Sequence, residues 1–106
     1  MKTGLTVIAY VTAKAGLEDE VRNALLELVA RTRNERGCVN YDLHESDATR
    51  VEFAIYENWK HVSDLDEHAK SGHVRAFRRK MADRLERPSE ITKWRMVSEL
   101  EQHDEC

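Results

Sequence analysis

Apolar residues occupy every second position in the first strand-like segment of the chain, Thr3–Thr12. One side of this segment is consistently apolar, with Leu5, Val7, Ala9 and Val11. A period of two residues predicts a β-strand. The other side is not cleanly polar, because it carries Thr6, Ile8 and Tyr10. A strand that is apolar on both sides usually has both sides covered, which a single layer of helices cannot do.

The next pattern has the period of a helix. From Leu17 to Arg36, apolar residues recur on one stripe: Leu17, Val21, Ala24, Leu25, Leu28 and Val29. Acidic residues stand in the first turn of this segment and arginines near its end, which favours the helix dipole. Gly37 follows, and it predicts a left-handed stop after the helix.

Two further strands are predicted at Cys38–Glu45 and Arg50–Trp59, joined by the turn-forming residues 46–49. The apolar side of the first of them carries Val39, Tyr41 and Leu43. The apolar side of the second carries Val51, Phe53 and Ile55 and continues into Glu57 and Trp59. Glu57 therefore ends an inward-pointing series, and its carboxylate is expected to be half-buried or to line a cavity.

The following residues predict a helical region with one break. Lys60–Ser71 forms a helix in which three residues share a face: His61, Leu65 and His68. Gly72 interrupts the pattern, and His73–Glu86 forms another helix, which Pro88 ends.

A last alternating segment, Ser89–Leu100, predicts a fourth strand, with Trp94 and Ile91 on opposite sides. The order strand, helix, strand, strand, broken helix, strand predicts an α+β ferredoxin-like fold (βαββαβ), a four-stranded antiparallel sheet with helices on one face. The helix-free face would expose apolar residues of the first and last strands. We expect a second copy to cover it in a homodimer, since exposed apolar patches of this size are uncommon on monomers.

Composition narrows the class of protein. The 106 residues suffice for one domain, with a core from about 3 to 100 and a polar tail at 101–106. With 41% apolar and 35% charged residues and a net charge of −3, neither a membrane nor a nucleic-acid partner is expected. No secretory signal is visible, so we expect a cytoplasmic protein. Cys38 and Cys106 are expected to be unpaired.

Candidate chemistry lies close to the end of the third strand, at Glu57, His68 and His73. These residues suit an acid–base pair, because imidazole titrates near neutrality and a carboxylate fixes its tautomer. They suit equally well a purely structural hydrogen bond that links the strand to the helix. A two-histidine, one-carboxylate metal site is stereochemically possible. However, the chain has no HExxH motif and no Cys pair, and we expect no metal.

Three motifs occur in order along the predicted elements: E-x-G-C-x-x-Y at Glu35–Tyr41, E-x-W at Glu57–Trp59 and H-x-x-S-x-H at His68–His73. Together with the order of strands and helices, they resemble the antibiotic biosynthesis monooxygenase (ABM) domain family. The correspondence extends from Leu5 to about Leu100.

The resemblance implies a homodimer in which two ferredoxin-like sheets form an α/β barrel. It also implies a monooxygenase that oxidises a quinol or polyphenol-like aromatic with molecular oxygen, without flavin, haem or metal. In that case His68 is the base, Glu57 its orienting partner and His73 a second polar contact. The pocket walls would be Tyr41, Trp59, Phe77 and Trp94.

Two other functions are compatible with this scaffold, a non-enzymatic dimeric ligand-binding or stress-associated module and an isomerase of a phosphorylated signal molecule. Haem degradation is not expected. The haem-degrading branch uses an Asn on the first strand, a Trp in the second helix and a haem-ligating His. Here Leu5–Val11 has no Asn, and His68 and Arg78 fall at the other two places.

Overall fold

The computed structural model describes residues 4–98. The chain order is β1 (Leu5–Thr12), α1 (Glu18–Thr32), β2 (Cys38–Glu45), β3 (Glu52–Trp59), α2 (Val62–Lys70), α3 (Gly72–Met81) and β4 (Glu90–Trp94). The four strands form an antiparallel sheet in the order β2-β3-β1-β4. This is the ferredoxin-like topology that the sequence predicted. Within the described residues, no helix combines the length and apolar character that a membrane span requires.

The helices cover one face of the sheet and form the core with it. The apolar side of β1 is buried as its period predicted, and it faces the buried stripe of α1, which consists of Val21, Leu25, Leu28 and Val29. From β3, Phe53, Ile55, Glu57 and Trp59 point to the same side and are buried. The predicted inward series that ends with Glu57 is therefore confirmed.

Several elements are shorter than the sequence predicted. Helix α1 ends at Thr32, because the next residues form tight turns in which the Glu35 amide donates to the Thr32 carbonyl. Strand β4 ends at Trp94, although alternation had suggested a longer strand. The predicted strand positions Thr3 and Leu100 and the polar tail at 101–106 lie outside the described residues.

A β-bulge in β2 changes the side to which Val39 points. Cys38 pairs with Trp59, whereas Asn40 already pairs with Asn58, so the register shifts between Cys38 and Asn40. Val39 is 60% exposed, and its predicted place on the inner face is wrong. The bulge leaves Tyr41 buried beside Glu57, next to the cavity described below.

Gly37 connects the turns after α1 to β2, and its backbone has a left-handed conformation that residues with a side chain rarely adopt. Its φ is 81°, and a Cβ atom there would overlap the carboxylate of Asp64. Gly16 has a similar φ of 91° with nothing within 4 Å of that position. A side chain at either position would therefore meet similar backbone strain, but only at Gly37 would it also collide with a neighbouring side chain.

We expect Gly16→Ala to lower the free energy of unfolding by about 1–2 kcal/mol, the cost of the left-handed conformation alone. Gly37→Ala should cost more, because the Asp64 side chain must also move. Urea unfolding of both variants measures the difference. Equal losses would show that the close approach of Asp64 to Gly37 has no energetic weight.

Candidate active site

A cavity of about 770 Å³ lies between the helices and the helix-covered face of the sheet. Its size is in the range of small-molecule binding sites. Most of its wall is apolar and comes from α1, α2, α3 and the sheet, with residues such as Leu25, Ile55, Leu65, Val74 and Phe77. Polar groups on this wall include those of Tyr41, Glu57 and His68.

His68 is held at the cavity by the packing of α2. The spacing of three residues places it on the same face as Leu65, and both are buried. The imidazole lies against the indole of Trp59, with ring centroids 4.8 Å apart, and against Tyr41 at 5.4 Å. These two ring contacts restrict the orientations that the imidazole can adopt.

The carboxylate that contacts His68 is that of Glu35. The Nδ1 atom of His68 lies 2.8 Å from Oε2 of Glu35, and Nε2 of His73 lies 2.5 Å from the same oxygen. The predicted pairing of His68 with Glu57 is therefore wrong. Glu35 reaches this position because α1 ends at Thr32 and the turns that follow carry Glu35 to the two histidines.

Glu57 forms a separate polar point in the cavity wall. Its side chain is 2% exposed, and it accepts a hydrogen bond of 2.9 Å from Nε1 of Trp59. Burial raises the pKa of Glu57 to about 7, with a contribution from the negative charge of Glu35, although the Trp59 hydrogen bond opposes the shift. Near neutral pH this carboxyl can therefore both give and accept a proton.

Burial also lowers the pKa of His68, an effect that the hydrogen bond and charge of Glu35 oppose and that His73 and Arg78 reinforce. A lowered pKa favours the neutral ring near neutral pH. When Nδ1 donates its hydrogen to Glu35, the lone pair of the neutral imidazole is on Nε2. That atom can then act as a proton acceptor.

The sequence profile of the family described as antibiotic biosynthesis monooxygenase matches residues 4–80, which include all three motifs. The chain belongs to the antibiotic biosynthesis monooxygenase family. This confirms the family resemblance that the motifs indicated.

Several proteins are similar to this chain over nearly their whole length. Rv0793 of Mycobacterium tuberculosis, named as a candidate monooxygenase, is 33% identical over 92 residues, covering 87% of this chain and 90% of the relative. The solved structure of Rv0793 has a TM-score of 0.84 at 30% identity and covers 92% of this chain and 99% of its own. The structure of PA3566 from Pseudomonas aeruginosa has a TM-score of 0.86 at 32% identity, with coverages of 92% and 98%.

In this ABM family protein, the three motifs meet around His68, which lines the cavity. The first motif supplies Glu35 and Tyr41, the second supplies Glu57, and the third supplies His68 and His73. Glu35 was not predicted as a site residue, although it is the first residue of its motif. No local pattern could reveal its contacts, which join residues far apart in the chain.

The other predicted site residues differ in how near they are to the cavity. Tyr41 and Phe77 line it. Trp59 is fully buried behind Tyr41 and His68 and supports them without being part of the wall. His73 lies outside the wall and borders a separate hollow beside α1.

Trp94 was predicted as a pocket wall, and this is wrong. It pairs with Thr6 on the helix-free face of the sheet and is 52% exposed. Two cationic residues that were not among the predicted site residues, Arg78 and Lys93, do line the cavity.

Proposed function

We propose that this protein is a cofactor-independent monooxygenase that oxidises a small quinol or polyphenol-like aromatic with molecular oxygen. The observation that carries the proposal is a buried histidine on an apolar cavity, with its Nδ1 atom hydrogen-bonded to a carboxylate and its Nε2 atom left as acceptor. Such a cavity suits a flat aromatic ring, and such a histidine suits removal of a phenolic proton.

In the proposed mechanism, Nε2 of His68 takes the proton of one substrate hydroxyl, and Glu35 stabilises the resulting imidazolium. The electron-rich anion transfers one electron to oxygen, and the two radicals recombine to a carbon-bound peroxide anion. This anion takes the proton back from the His68 imidazolium and becomes a hydroperoxide. Loss of water then leaves one oxygen atom on the ring. The protein contributes a base, a cavity that excludes water and fixed hydrogen-bonding groups.

Other wall residues would orient the substrate and stabilise its anion. A quinol has a second hydroxyl, for which Glu57 is a partner, since a carboxyl with a pKa of about 7 can donate or accept. Burial, with a further contribution from the charge of Glu57, raises the pKa of Tyr41, so its phenol stays protonated and can donate a hydrogen bond. The guanidinium of Arg78 adds positive charge at the cavity wall.

Oxygen uptake by chelator-treated protein with a panel of quinols tests the proposal. We expect uptake that stops when the cavity is narrowed by Val74→Trp. Tight binding of the same compounds without turnover would favour the ligand-binding module. Turnover of a phosphorylated substrate without oxygen would favour the isomerase.

We also propose that the protein is a homodimer that buries the helix-free face of the sheet. Three large aromatic side chains are exposed on this face: Tyr10, Tyr56 and Trp94. Tyr56 lies on a central strand, where it pairs with Ile8. Burying such a surface would provide the association energy.

Sedimentation equilibrium at micromolar concentration should give the dimer mass for the wild type. Tyr56→Lys should shift the equilibrium to monomer, because two unpaired charges would be buried in the interface. Leu26→Lys is the matched control, since Leu26 is a large apolar residue on α1 that is exposed to a similar extent. A monomeric wild type would contradict the proposal.

A further inference from the structure

We propose that Glu35, His68 and His73 form a reversible binding site for a divalent first-row transition metal such as zinc. One potential ligand atom of each residue lies within 4.8 Å of those of the other two. Oε2 of Glu35 contacts both Nδ1 of His68 and Nε2 of His73. Among residues 4–98, no other group of three such side chains meets this condition.

The ligand set matches the chemistry of these metals. Zinc binds imidazole nitrogen and carboxylate oxygen at about 2.0–2.2 Å, so tetrahedral ligand atoms stand about 3.4 Å apart. In this structure Oε2 of Glu35 lies closer than about 3.4 Å to both histidines, at 2.8 Å from Nδ1 of His68 and 2.5 Å from Nε2 of His73. A small rotation of the Glu35 carboxylate away from the two histidines would therefore make room for an ion.

The three ligands come from three separate elements that are fixed relative to one another. Glu35 lies in the turn before β2, and the histidines lie on α2 and α3. Ser71 joins these two helices, because its hydroxyl donates to the His68 carbonyl and accepts from the Val74 amide at the start of α3. These bonds fix the backbone of α2 relative to that of α3, and with it the positions from which the two histidines extend.

Access to the site is available from the surface. The side chains of Glu35, His68 and His73 are 15%, 9% and 20% exposed, so the cluster is shielded but not sealed. His73 borders the hollow beside α1, which provides an entry path that does not pass through the large cavity.

Binding is expected to be reversible. An ion must displace a proton and two existing hydrogen bonds, and it gains three protein ligands in return. A metal on Nδ1 of His68 would leave the proton of that ring on Nε2. If the proposed function holds, zinc should therefore inhibit turnover by converting the base into a donor.

Isothermal titration of the full-length protein with zinc chloride tests the site without any substrate. The measurements use a His103→Gln, Cys106→Ser background, so that these two side chains cannot supply ligands. We expect one ion per chain, with affinity reduced at least about tenfold by Glu35→Gln and by His73→Gln, since even supporting contacts are worth that much. His61→Gln is the matched control, because His61 is an exposed histidine that also contacts a carboxylate, that of Asp64.

A second measurement does not depend on the folding of variants. Zinc should shift the ¹⁵N resonances of Nδ1 of His68 and Nε2 of His73 in the otherwise unchanged protein, and cobalt should give the visible bands of a tetrahedral site. Absence of binding, unchanged His68 and His73 resonances, or equal losses in His61→Gln would each overturn the proposal. Because no substrate is present, failure of quinol oxidation has no bearing on this result.

Discussion

Replacing His68 with glutamine should lower turnover of an active quinol by about 10²–10⁴-fold, the usual contribution of a general base. Glutamine cannot accept a phenolic proton to any useful extent. Its amide can still donate to Glu35, and it fills much of the space of the ring between Trp59 and Tyr41. The melting temperature and the association state should therefore stay close to those of the wild type.

A structural role for His68 predicts a different pair of results. Alanine at this position leaves a buried space and removes one of the two histidine partners of Glu35, which should cost about 1–3 kcal/mol of stability. If His68 has only a structural role, the activity of the glutamine and alanine variants should fall only in proportion to the fraction of protein that is unfolded. Rate and melting temperature are measured on the same preparation, with His61→Gln as the exposed control.

Full activity in a folded His68→Gln variant would remove this residue from the mechanism. Glu57 would then be the next candidate for the base, because it lines the cavity and has a near-neutral pKa. His73 is a weaker alternative, since its Nε2 atom faces Glu35 and it lies outside the cavity wall.

The stability of the wild-type protein should contain a contribution from Glu57 that decreases as the pH rises from about 4.5 to about 7. The unfolded chain releases this proton near the ordinary pKa of 4.5, whereas the folded protein retains it until its pKa of about 7. Between these values the folded state binds more protons, so the free energy of unfolding falls with rising pH. The total loss is about 3 kcal/mol, at 1.36 kcal/mol per pKa unit.

Glu57→Gln removes this titration and keeps an oxygen that can accept from Trp59. The variant should match the wild type at about pH 4.5 and exceed its stability by about 3 kcal/mol at about pH 8. Urea unfolding at several pH values measures the difference. Glu67→Gln, the same replacement at an exposed carboxylate on α2, is the control. Parallel curves for the wild type and Glu57→Gln would contradict the prediction.

Local periodicity determined much of the frame of this protein. The bounds of β2 agree with the prediction, and a period of two residues placed Glu57 among the inward residues of β3. Helical spacing placed His68 on the buried face with Leu65. These features depend on neighbours within a few residues, and so the order of residues alone specifies them.

Only the tertiary structure decided which groups meet. Glu35 contacts His68 and His73 across 33 and 38 positions, and Trp94 lies on the sheet face away from the cavity. The bulge that turns Val39 outward depends on how β2 pairs with β3. The alternation of apolar and polar residues shows which residues share a side of a strand. Which of the two sides packs against the helices is decided by the packing of the whole domain. The sequence therefore predicted the strand and helix that carry Glu57 and His68, whereas it did not predict that Glu35 is the hydrogen-bond partner of His68.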